Sequence, residues 1–162
     1  MSPVYKYYFS LLMVLVVSFC ACTTDTTCRK DMTVAALMIL KADSLDANER
    51  VKAYTTWDSI TVRPINNEVY ILNNNRNIKQ VPLFLHPDTT ITAFLMTYHH
   101  QTDTLFVEHT PRQYFVSLAC GCAVYHTITA AWSTDPRVDS VQIINASVEN
   151  AVQENLCLHL HE

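Results

Sequence analysis

The chain of 162 residues carries 11 Lys and Arg against 15 Asp and Glu, for a net charge of −4, and holds a single glycine, Gly121. Arg29-Lys30 is the sole adjacent basic pair, so no concentrated positive face of the kind that binds nucleic acid is present. One glycine is too few for a phosphate-cradling loop or a dinucleotide fingerprint, and because it lies between two cysteines no G-x-S-x-G nucleophile elbow exists.

The first segment, MSPVYKYYFSLLMVLVVSFCAC, places Lys6 before an uncharged apolar run from Tyr7 to Phe19. A positive n-region followed by an h-region of this length is the pattern of a signal peptide. The run is too short to cross ~30 Å of hydrocarbon, which takes about 20 apolar residues. It ends in Phe19-Cys20-Ala21-Cys22, and a small residue before a cysteine at that place resembles the lipobox of bacterial lipoproteins. In those proteins the cysteine is linked to diacylglycerol and becomes the first residue after cleavage. Cys22 behind Ala21 fits better than Cys20 behind bulky Phe19, although Cys20 stands where a small non-thiol residue is usual. The expectation is a signal peptide at 1–21, lipidation at Cys22, a polar tether at 22–29 and one domain at 30–162. Removing residues 1–21 from the 162 leaves 141, a common single-domain size. Lys6 is the only charge lost, which takes the net charge to −5.

From Met32 onward, β-branched and aromatic residues alternate with polar ones. Thr33–Lys41 is a nearly unbroken apolar run, consistent with a buried strand or a short helix, and Ala42–Tyr54 is ambiguous between the two. Asp43–Asn48 reads as a turn. Asp58–Arg63 and Glu68–Leu72 alternate as strands, and Asn73-Asn74-Asn75 reads as a loop because Asn tolerates left-handed geometry. Val81, Leu83 and Leu85 share one face of a strand that Pro82 confines to an edge or a bulge. His86-Pro87-Asp88 turns the chain into Thr89–Tyr98, where Ile91, Ala93 and Leu95 share a face. Thr102-Asp103 turns it back into Leu105–His109.

Arg112–Thr129 keeps one parity over a length that a flat strand does not reach, so it must bend or turn. Gly121 marks the place: a bulge, a sharp bend or the close approach of another backbone. Val138–Ala146 and Leu156–His161 supply the last strands. Short strands between turns every 8–12 residues point to an all-β, antiparallel sandwich, of which the immunoglobulin-like topology is one form.

Besides the anchor, the expected domain holds Cys28, Cys120, Cys122 and Cys157. An even number in an exported chain reads as disulfides, and a bridge between strand neighbours at i and i+2 would be strained. Three pairings are open. The expected scheme joins one cysteine of the Cys120/Cys122 pair to Cys28 and the other to Cys157, stapling both chain ends to the bend. Each closure stabilises by about 2–4 kcal/mol.

VPLFLHPDTTITAFLM, DTLFVEHTPRQYFVSLACGC and VDSVQIINASV, in this order behind a lipoprotein signal, resemble a family of small Bacteroidota lipoproteins classed as a domain of unknown function. The resemblance covers roughly Cys28–Val148, with Phe115–Cys122 its most specific element. It implies localisation and architecture and assigns no catalytic residue.

Two other chemistries compete with a bland reading. Cys157, His159 and His161 share one face of the last strand and are candidate zinc ligands, to which Cys120, Cys122, His126 or the His99-His100 pair could add. An oxidising compartment opposes this by consuming thiols. Cys120-Gly121-Cys122 lacks the C-x-x-C spacing of thiol–disulfide catalysts. His99, His100, Asp103 and His109 form no recognisable triad with a serine, and Trp57, Trp132, Tyr54, Tyr70, Tyr98 and Tyr125 serve core packing or a ligand platform. The expectation is a non-enzyme without cofactor, an outer-membrane lipoprotein on the periplasmic face or the cell surface. It acts as a structural or protein-binding component for an unknown envelope protein; the alternative is a metal-binding or thiol-redox envelope protein.

Overall fold

Side-chain alternation becomes strand over most of the described residues, and none of them is helical. The computed structural model describes residues 33–46, 49–56, 58–98, 101–134 and 138–160. The expected signal peptide, Cys22, the tether and Cys28 lie outside them, as do Trp57, His99, His100 and His161.

Two sheets share the strands. The first contains β2 (Glu49–Tyr54), β1 (Ala36–Asp46), β11 (Glu154–Leu160) and β9 (Val138–Ile143) in that order, with β5 (Gln80–Leu83) also pairing β1. The second runs β10 (Ser147–Val148), β8 (Gly121–Ser133), β7 (Gln101–Ser117), β6 (Ile91–Tyr98), β3 (Ile60–Pro64) and β4 (Leu72–Asn75). The described pairings are antiparallel except for β1 with β11.

That parallel pair explains the apolar run at the start of β1. Parallel strands are usually covered on both faces and lose the in–out alternation. Ala36, Met38 and Leu40 enter the core, while Ile39 on the other face is buried too. Cys157, opposite Ile39 in the register, is likewise buried. One apolar cluster draws side chains from both sheets: Met38, Leu40, Leu156 and Leu158 from the first, Val62, Phe94, Leu105 and Val107 from the second. Each such side chain contributes roughly 1.5–3 kcal/mol when fully buried.

Several sequence signals act as expected. Asn74 and Asn77 hold positive φ, 52° and 54°, in place of the missing glycines. Pro82 sits in β5, which pairs β1 on one side only, so its missing N–H breaks no second ladder. Gly121 has φ 75° and closes the turn between β7 and β8; nothing stands within 4 Å of where its Cβ would be, so it serves the backbone angle and not a close approach.

Others are displaced. Ala42–Tyr54 is no helix but falls in the hairpin of β1 and β2. β1 extends to Asp46 and β2 begins at Glu49, so much of the expected Asp43–Asn48 turn is strand, and residues 47–48 lie outside the described ones. The expected strand at Glu68–Leu72 is mostly loop with Val69 and Tyr70 exposed, whereas the expected asparagine loop Asn73-Asn74-Asn75 belongs to strand β4, which pairs β3. Asn67 Oδ1 accepts the Val69 N–H at 2.9 Å, a local bond that competes with a ladder. Thr102 and Asp103 lie inside β7, and Asp103 Oδ2 instead accepts from Ser133 Oγ at 2.6 Å. In β6 the buried face is Thr92, Phe94 and Met96, opposite the one that Ile91, Ala93 and Leu95 share.

Where β1 meets β11 the register jumps: Leu37 faces Glu154 and Met38 faces Leu156, leaving Asn155 as an extra residue. Its side chain, 1% exposed, is fully used. Oδ1 accepts the Leu37 N–H at 3.0 Å, and Nδ2 donates to the carbonyls of Asn145 at 3.0 Å and Ser147 at 2.8 Å. Ser147 belongs to β10 of the second sheet, so one amide ties the two sheets together. Asn155→Asp keeps the shape but turns an acceptor toward two carbonyls. It should cost roughly 2–4 kcal/mol, read as a lower urea midpoint; an unchanged midpoint would show that the amide is dispensable.

Candidate functional site

Two places gather chemistry-bearing residues, and both lie on the β7–β8 hairpin. The first is its tip. β6 pairs β7 only as far as Glu108, and β10 touches β8 only at His126 and Thr127. Beyond these flanks the pairs Arg112–Tyr125, Gln113–Val124, Tyr114–Ala123, Phe115–Cys122 and Ser117–Gly121 form a two-stranded arm. The six residue steps from Arg112 to Leu118 span about 20 Å beyond the described neighbouring strands. Tyr114 stacks on Tyr125 with centroids 5.0 Å apart. The Cys120 N–H donates to Ser117 Oγ at 3.0 Å, pinning the turn.

Cys120 lies in this turn, Cys122 beside it is an exposed thiol rather than half of a bridge, and Cys157 is buried. The expected division of the pair between Cys28 and Cys157 is therefore corrected in its second half. Cys157 sits in the middle of the first sheet between Ile39 and Gln142, whereas Cys122 faces outward on an arm of the second. Cys28 lies outside the described residues.

The expected zinc ligands do not come together here. Cys157 is buried, His159 Nε2 donates to Gln142 Oε1 at 3.1 Å, and His161 lies outside the described residues. His126 is held by another histidine and Cys122 is exposed; no three metal-ligating side chains converge among the described residues. The aromatic candidates are dispersed as well. Trp132 stacks on Phe106, Tyr54 lies under Lys41 Nζ, Tyr70 is in a loop, and Tyr98 packs against the core.

The second place joins two histidines that the sequence raises only apart, His126 among the zinc ligands and His109 in a triad. A bulge in which Glu108 faces Ala130 and His109 faces Ile128 re-aims β8, so that His126 and Ile128 point inward together. His109 (1% exposed) and His126 are buried with Thr92. The His86 N–H donates to Thr92 Oγ1 at 2.9 Å, Thr92 Oγ1 shares a 2.8 Å hydrogen bond with His109 Nε2, and His109 Nδ1 lies 3.1 Å from His126 Nδ1. The rings meet edge to face, 4.8 Å between centroids. A single Nδ1 proton serves that contact, so the arrangement fits neutral rings. A hydroxyl on an imidazole is the start of a nucleophile–base pair, yet all three groups are closed off from solvent. A depression of about 140 Å³ lined by Thr33, Ala35, Leu37 and Glu149 to Val152 is smaller than the roughly 300–1,000 Å³ of ligand sites. The signal available in the sequence was parity, since His109 continues the inward set Leu105 and Val107.

With this geometry in view, the comparison with known proteins is direct. The model of a family of unknown function, DUF6452, matches residues 59–160. The chain belongs to that family. The DUF6452 match takes in β3 to β11, including the arm and the histidine pair, and starts later and ends later than the stretch that the sequence resemblance covered. No curated protein and no solved structure matches the chain.

Burial, then the neighbouring rings of His126 and His86, push the His109 pKa down from 6.5 to about 4; burial lowers that of His126 too. Above pH 6.5 neither folded nor unfolded His109 binds a proton, and the contribution is whole. Between 6.5 and 4 the unfolded state takes up a proton that the folded state refuses, so stability falls as pH falls, by up to roughly 3 kcal/mol. Urea unfolding at pH 7.5 and pH 5 should show this drop, and His109→Leu/His126→Leu should flatten it; an equal slope in both proteins would refute the assignment.

Proposed function

We propose that this chain is an exported lipoprotein, anchored through Cys22 in the outer membrane and acting there as a non-catalytic structural or protein-binding component of the envelope. The observation that carries the reading is the sequence order of Lys6, an uncharged apolar run to Phe19 and Ala21-Cys22; a proposed bridge at Cys120 would suit an oxidising compartment such as a bacterial envelope. Cys28, last of the N-terminal cysteines and adjacent to the domain, is the proposed partner of Cys120. The apolar h-region ending at Ala21-Cys22 supports the anchor. The burial of the histidine pair, away from any substrate in solvent, favours a surface that binds over a site that reacts.

The architecture proposed is a β-sandwich, supported by the single apolar cluster fed from both sheets. Its six-stranded order β10-β8-β7-β6-β3-β4 departs from the immunoglobulin arrangement of a four-stranded and a three-stranded sheet, so that finer topology is not part of the proposal. A second reading keeps a thiol role: Cys122, exposed and two residues from the proposed bridge at Cys120, is placed for exchange chemistry. Thiol titration of the purified protein, with and without zinc, separates the two; a Cys122 that resists oxidation and binds no zinc leaves the structural reading.

For the anchor itself, Cys22→Ser should abolish incorporation of a fatty-acid analogue and release the protein from membranes into the soluble envelope fraction. Unchanged labelling of the Cys22→Ser protein would overturn the assignment and move the anchor to Cys20.

A further inference from the structure

We propose that the tip of the β7–β8 arm seats in the surface of a lipid bilayer, as a second contact that orients the domain on the membrane holding its anchor. This rests on the lipoprotein reading above and adds a site to it.

Three observations carry the proposal. The first is exposure. Leu118 at the apex is 98% exposed, Phe115 59% and Tyr114 44%. Scattered apolar residues on a surface need no explanation, but three within five residues at the end of a projection do. They are also spread around it. In the register Tyr114 goes with Ala123, whereas Phe115 goes with Cys122, so the two aromatic rings leave opposite faces of the arm with Leu118 beyond them. A flat protein partner covers one face of a two-stranded ribbon; a fluid that admits the tip covers both faces and the apex together. Tyrosine rings with one wet end suit the headgroup level, where aromatic residues concentrate.

The second is charge. From His109 to Thr134 the chain has no Asp or Glu, although it carries 15 in 162 residues, and the arm contributes the cation Arg112. An acidic protein has thus kept its negative charge off the one element that would face anionic headgroups.

The third is the tether. On the lipoprotein reading Cys20 leaves with the signal peptide and the Cys22 sulfur carries the lipid, so Cys28 is the N-terminal cysteine left as the proposed partner of Cys120. Cys28 follows the anchor residue by six positions, which an extended chain spans in about 20 Å. The apex, two residues from Cys120, is therefore held within that order of distance from the lipid. The proposed bridge turns a loose leash into a fixed approach for Leu118.

The test uses the full-length protein in its native envelope with a photoreactive p-benzoylphenylalanine at one position. Leu118→p-benzoylphenylalanine places the probe at the apex; Gln101→p-benzoylphenylalanine, exposed at the opposite end of β7, is the control. Both positions are exposed, and the thermal melt of each variant checks that the fold is kept. After irradiation, mass spectrometry should find phospholipid-mass adducts at position 118 at least fivefold above those at 101. Equal yields, or adducts at 118 with protein alone, overturn the proposal. The N-terminal peptide from the same digest reads the anchor. A lipid mass on Cys22 with no lipid adduct at 118 removes the arm contact and leaves the lipoprotein standing; an unmodified Cys22 removes the reading beneath both.

Discussion

A single buried amide holds the two sheets in relation to each other. Asn155 occurs where β11 has one residue more than β1 requires, and its side chain replaces the ladder bonds lost there. Its donors reach across to the chain that leaves the first sheet at Asn145 and enters the second at Ser147. Asn145 and Gln153 extend the cluster: Asn145 Nδ2 donates to Gln153 Oε1, and Gln153 Nε2 donates to the Ser147 carbonyl, both at 2.9 Å. A fully satisfied polar group inside a core is worth more as a specifier of one arrangement than as a source of energy. Here it fixes the β1–β11 register and the point where the chain changes sheets.

The same logic appears at the histidine pair. Thr92, His109 and His126 bring polar atoms inside, and each atom of the chain from the His86 N–H to His126 Nδ1 meets a partner. These rings lie where the sheet narrows from the paired β6–β7–β8 region into the free arm. They therefore mark the border between the part of β7 that packs and the part that projects.

Local chemistry explains what was legible beforehand. Gly121, Asn74, Asn77 and Pro82 each impose a backbone constraint that depends on almost nothing else, and each does what its residue type demands. Alternation located most strands, but the choice between faces depends on neighbours. Ile91–Leu95 alternates equally well either way, and only the presence of Val62 and Leu105 beside it turns Phe94 inward. The run at β1 was ambiguous because a strand covered on both faces has no period, and its partner lies at the far end of the described chain. Glu68–Leu72 alternates well, yet the short bond from Val69 to Asn67 competes for its backbone. Of the candidate site, the cysteine turn was readable from its spacing, whereas the inward turn of His126 depended on a bulge that no residue announces.

The order of strands has a consequence for the chain while it is being made. β6, β7 and β8 are joined in sequence and need nothing downstream to pair with one another. β1 is different: the Leu37 N–H waits for Asn155, 118 positions later. Contacts of such separation form late, since loop closure must precede them. As the polypeptide emerges, its earliest described strand therefore finds its central partner only with its last one. Until then the β1 edge that β11 will cover stays unpaired, while β2 and β5 are already available to its other edge.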